Sequence, residues 1–110
     1  MIEYKENYEL YKMAKLFVSG KLSAIQFVDD YMDMHDNSPF GKEKVTISDD
    51  DFVKDPCLLS SIYLHCDTHE SMNVNNPYTD DELKEVVKIF LLANSVDDGY
   101  KEITEKGLLK

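Results

Sequence analysis

The side chains best suited to chemistry crowd into one short stretch, Leu58 to Glu70, LLSSIYLHCDTHE, which holds two of the three histidines and one of the two cysteines. His65 and His69 stand four apart, a spacing that on one helical face supplies two zinc ligands. Zinc needs a third and fourth ligand, and none is convincingly placed, so the pair is expected on a solvated polar face and no metal site is expected. Cys66 lies in an apolar stripe with no basic neighbour to lower its pKa, which makes it a core residue rather than a nucleophile. If Cys57 shares its helix, the nine-residue spacing points the two thiols to nearly opposite faces. Asp67 and Glu70 are three apart and therefore surface neighbours near a helix C-terminus, where the dipole disfavours acids. A residue that works against its own helix is a candidate for function. The Asp49–Asp51 triplet lacks the alternating oxygen ligands of a calcium loop and reads as helix capping ahead of Phe52 and Val53.

No reaction emerges from these groups. There is no Gly-rich phosphate loop, no defensible Ser-His-Asp context and no metal-ligand set, so neither an enzyme nor a cofactor is expected. Charge is more telling: 22 acids face 12 bases for a net charge of -10, and every base is lysine. A nucleic-acid binder wants a basic patch and the guanidinium fork, so direct binding to nucleic acid or to an acidic membrane is not expected. The balance suits a basic partner, although acids also serve simply to keep a protein soluble and monomeric.

These residues must be positioned by helices. Met13 to Met32 reads as two amphipathic helices broken at Gly20, where a left-handed cap is needed. Leu10, Tyr11, Met13, Ala14, Phe17 and Val18 form the apolar face of the first helix, with Leu16 off the stripe. Ser23 to Gln26 has the Ser-x-x-Gln form of a capping box and opens the second helix. There Ala24, Ile25, Phe27, Val28, Tyr31 and Met32 make an apolar arc, and Asp29, Asp30, Asp33 and Asp36 crowd the remainder. Like charges four apart cost a few tenths of a kcal/mol, a penalty that a surface for a basic partner would accept.

Turn residues follow at Asn37–Gly41, and 42–55 is the least legible part, with Val45-Thr46-Ile47 as a short extended piece. Asp55-Pro56 starts a third helix whose buried stripe is Leu58, Leu59, Ile62, Tyr63 and Cys66. Thr79-Asp80-Asp81-Glu82 is a capping box that opens a fourth, with Leu83, Val86, Val87, Ile89, Phe90, Leu91 and Ala93 as its apolar face. Asp98-Gly99 marks a turn, leaving 95–110 as a short extra helix or a loose tail. The expectation is all-α, a compact antiparallel four-helix bundle forming one domain over 1–110. MIEYKENYEL has neither a basic n-region nor an apolar run, and two cysteines make no disulfide scaffold, so a reducing cytoplasm is expected.

The order AKLFVSGKLSAIQFVDDYM, then LLSSIYLHCDTHE, then TDDELKEVVKIFLLA (Thr79–Ala93) resembles the helices of colicin D immunity-like proteins, over most of the chain. The resemblance implies an immunity protein for a bacteriocin or contact-dependent inhibition toxin, whose partner is a basic nuclease domain that cleaves tRNA. It further implies that acids after a small residue at the end of the third helix point into the toxin's catalytic cleft, a position matched by Cys66-Asp67-Thr68-His69-Glu70. The following loop, Ser71 to Tyr78, is neutral where that family would have further acid. The partner-binding set is therefore Asp67 and Glu70 with Asp29, Asp30, Asp33 and Asp36, of which Asp29 and Asp33 are expected to act as rim charges. Immunity to another toxin type, or an acidic helical adaptor for a basic cellular protein, are the alternatives.

Overall fold

The structure, a computed structural model, describes residues 1–110, the side chain of Asp49 excepted. Gly20 sits at φ +83°, and the first helix, α1 (Lys5–Val18), ends there in a Schellman motif. Lys21 N–H donates to Leu16 O at 2.9 Å and Gly20 N–H to Phe17 O at 3.0 Å, satisfying carbonyls the helix leaves unpaired. α2 (Ala24–Asp36) follows at once, its N-terminus capped by Ser23 Oγ, which accepts from Gln26 N–H at 3.1 Å. The expected box is only half present. The Gln26 amide turns forward to Asp30 Oδ2 at 2.9 Å instead of back to the cap, because a carboxylate one turn on is the stronger acceptor.

The two helices close on each other through Phe17 and Phe27, whose rings stack at 4.3 Å with 8° between planes. Ile25, expected in the apolar arc, is 59% exposed, since the arc that meets α1 is centred on Ala24, Phe27, Val28 and Tyr31. Leu16 lies exposed off its stripe, as its position predicts. α3 (Cys57–Cys66) starts where Asp55 Oδ1 accepts from Cys57 N–H at 2.9 Å. It joins α2 through a buried bond of 2.7 Å from the Tyr31 hydroxyl to Leu59 O. α4 (Asp80–Leu92) carries the complete capping box of Thr79 and Glu82 and packs against both α1 and α3.

A four-helix bundle undercounts the architecture. Among the described residues there are five α-helices, and the fifth, α5 (Val96–Glu105), runs through the supposed turn at Asp98-Gly99. Ser95 caps it, accepting from Asp98 N–H at 3.2 Å, so the acids of Asp97-Asp98 belong to a helix start. Gly99 is there for closeness: a Cβ at this position would fall 2.6 Å from the Phe90 ring. α5 ends in a second Schellman motif at Gly107, φ +71°.

The second departure is a two-stranded antiparallel sheet. β1 (Ile2–Tyr4) pairs with β2 (Lys44–Thr46) in the register Ile2↔Thr46, Glu3↔Val45, Tyr4↔Lys44. The Asp49–Asp51 segment forms a single 3₁₀ turn capped by Ser48 rather than the start of a longer helix, and Phe52 and Val53 drop into the core behind it. The Cα radius of gyration is 13.4 Å, against about 13 Å for a compact chain of this length. No helix among the described residues is long and apolar enough to cross a membrane.

A candidate partner-binding surface

Asp29, Asp30, Asp33 and Asp36 are exposed on α2, as the spacing predicts, because the opposite face is taken up by Phe27, Val28 and Tyr31. Their close polar neighbours are few. Asp30 holds the Gln26 amide, and Asp33 Oδ1 accepts from Asn37 Nδ2 at 3.2 Å. Asp36 Oδ2 accepts from the Tyr63 hydroxyl of α3 at 3.0 Å, while the His35 ring stacks on Tyr63 at 4.0 Å. That phenol reports its surroundings: the hydrogen bond to Asp36 is the largest influence raising its pKa, followed by desolvation and then the charges of Asp36 and Asp67. The end of α2 is thus tied to α3 through the Tyr63 hydroxyl.

Asp67 and Glu70 are not neighbours on one helix. α3 ends at Cys66, Asp67 is its C-cap, and Glu70 begins a separate 3₁₀ turn, Glu70–Met72. Between them the chain is turned by a bridge to the strand-like segment before α4. Tyr78 N–H donates to Thr68 O at 2.6 Å and Glu70 N–H to Tyr78 O at 3.1 Å, with Tyr78 fully buried. Asp67 and Glu70 are both exposed.

The histidines depart furthest from expectation, since neither is solvated. His65 is 6% exposed and sits among Tyr78, Phe90 and Tyr100, its Nδ1 2.7 Å from Ser61 O. Desolvation lowers its pKa, and the bond to the Ser61 carbonyl opposes this in part. His69 is 0% exposed and lies beyond the helix, so the two rings share no helical face. Its Nδ1 accepts from Ser71 N–H at 3.3 Å and lies 2.9 Å from Ser71 Oγ, capping the 3₁₀ turn. Its Nε2 therefore carries the proton and donates to Asp80 Oδ1 at 2.7 Å. Sequence reasoning missed this contact, because no local periodicity joins a histidine in one turn to an acid eleven residues later. Its one legible half was the Thr79 capping box, which fixes Asp80 in the first turn of α4.

Cys57 is exposed and Cys66 buried, both as free thiols on the opposed faces their spacing predicts. Burial pushes the Cys66 thiol far above its ordinary range, which leaves it inert as a nucleophile. Elsewhere five acids pair with lysines: Lys5–Glu43, Lys12–Glu9, Lys106 with Glu85 and Glu102, and Lys110–Glu82. None of Asp29, Asp30, Asp33, Asp36, Asp67 and Glu70 pairs with a lysine among the described residues. No family model, curated protein or solved structure matches the chain.

Proposed function

We propose that this chain is an immunity protein of the colicin D immunity-like kind, which neutralises a basic toxin nuclease acting on tRNA by laying acidic side chains over its cationic active site. The observation that carries the reading is a cluster of acid without lysine. In a chain of net charge -10, six carboxylates on α2 and around the end of α3 have no lysine partner among the described residues, while Lys5, Lys12, Lys106 and Lys110 pair with acids elsewhere. An RNA-cleaving domain must present cations to phosphates, and a fixed acidic surface can occupy them as a substrate would. Asp36, which accepts from the Tyr63 hydroxyl, and Asp67, the C-cap of α3, form the centre of this surface. Asp29, Asp30 and Asp33 form its rim.

The test is titration calorimetry against tRNA-cleaving toxin domains, starting with any encoded by a neighbouring gene, with circular dichroism to confirm folding. Asp67→Asn with Glu70→Gln is expected to weaken binding by about 2–5 kcal/mol, the cost of abandoning buried cations in the partner. Asp29→Asn with Asp33→Asn is expected to act mainly on the association rate. If the α2 pair proves the costlier, the docking face is wrong. Should no neighbouring toxin bind, and should expression of the chain protect no cell from one, the immunity reading falls.

A further inference from the structure

We propose that His69, Glu70 and Asp80 form a binding site for a divalent transition cation of the Zn²⁺ type, independent of any protein partner. One ligand atom from each of the three lies within 4.8 Å of the others. The donors are an imidazole nitrogen and two carboxylates, a set that suits Zn²⁺, Co²⁺ or Ni²⁺ better than Ca²⁺ or Mg²⁺, which prefer oxygen alone. His65 takes no part, because its ring is enclosed by aromatic residues.

The imidazole has what a metal-binding histidine needs. Its ring is fully buried, so packing fixes its orientation, while Nε2 meets the exposed Asp80 and the exposed Glu70 carboxylate lies close by. The other nitrogen meets Ser71 Oγ at 2.9 Å, and a hydroxyl can accept as readily as it donates. On metal binding the Nε2 proton is lost and Nδ1 gains one, which it donates to Ser71 Oγ. The ring stays neutral, no net proton is released, and the serine becomes the outer partner that orients the ligand. The weaker bond from Ser71 N–H, at 3.3 Å, is given up.

The backbone supports the same geometry. The bridge between His69 and Tyr78 holds the two donor-bearing segments side by side, and Asp80 is anchored two residues later by the capping box. The solvent side of the site is left for water or for a donor from another molecule.

The experiment uses the isolated full chain with Zn²⁺ in calorimetry and thermal melts, and Co²⁺ as a spectroscopic probe. One equivalent of Zn²⁺ is expected to bind, and at a free concentration 100-fold above its Kd to raise the folded-to-unfolded ratio about 100-fold. Co²⁺ is expected to give visible absorption bands. Glu70→Gln should weaken binding at least tenfold without altering the apo melt, since Glu70 is exposed, and Ser71→Ala should cost about 10–100-fold while changing the Co²⁺ spectrum. His35→Asn, which removes the imidazole beside Asp36, should change neither. Absence of binding at millimolar metal overturns the proposal. So does binding that survives Glu70→Gln and Asp80→Asn together, or binding abolished by His35→Asn, because the metal would then sit elsewhere.

Discussion

At the scale of single residues, the informative side chains are those whose burial contradicts their chemistry. His65 is a titratable ring in an aromatic enclosure, and its lowered pKa means the folded protein binds this proton more weakly than the unfolded chain does. The stability it contributes is complete above the ordinary histidine value of 6.5 and is lost as pH falls below that toward the folded value. Melts of the parent should therefore drop as pH falls below about 6.5, and His65→Phe, which keeps a ring and removes the proton site, should flatten that part of the profile. Parallel profiles would show that another group sets the acid limit. The sequence could not reveal this burial. Polar residues at a stripe's edge are solvated unless some distant element covers them, and here the cover comes from Tyr78, Phe90 and Tyr100, all outside α3. Cys66 was legible because its own helix decides its face.

At the scale of elements, what could be read depended on whether the deciding interaction was local. The Gly20 cap, the Thr79 box, the Asp55 start of α3 and most of the four apolar stripes are set within a few residues, and each stands as read. α5 was obscured because Asp-Gly is turn chemistry in isolation, whereas Gly99 serves a helix-to-helix contact. The two glycines consequently fail in different ways. Gly20→Val should cost at least the roughly 1–2 kcal/mol of a left-handed backbone with a side chain, although nothing lies within 4 Å of the added Cβ. Gly99→Ala has ordinary helical backbone and should cost about 1–3 kcal/mol by driving a methyl into Phe90. Urea melts separate them: Phe90→Leu should rescue Gly99→Ala in part and leave Gly20→Val unrelieved. Equal response to Phe90→Leu would refute the close-contact account of Gly99. β1 was invisible in the sequence, since three residues have no periodicity and their partner strand lies more than forty positions away.

At the scale of the whole molecule, the net charge of -10 predicts the kinetics of meeting a basic partner. Association at low salt should exceed the roughly 10⁵–10⁶ M⁻¹s⁻¹ of unsteered pairs and fall steeply as salt rises, which stopped-flow mixing across ionic strengths would measure. A rate indifferent to salt would remove the electrostatic motive from the proposed function. Composition made that much of the surface legible, whereas the bond from Tyr63 to Asp36 required the packing of α2 on α3. The sheet has a consequence of another kind. Met1 O accepts from Ile47 N–H, and the terminal amino group reaches Ile47 O, 46 residues apart in sequence. The α1–α2 hairpin closes through near neighbours, but this ribbon must wait until both helices and the following loop have been drawn together, because the entropy of closing so large a ring is unrewarded before then. The ribbon should thus be a late arrival. In chevron experiments, Val45→Ala should leave the refolding rate nearly unchanged and speed unfolding, whereas Phe27→Leu in the hairpin should slow refolding. The strand that tethers the amino terminus would then govern how long the folded state lasts rather than how quickly it forms.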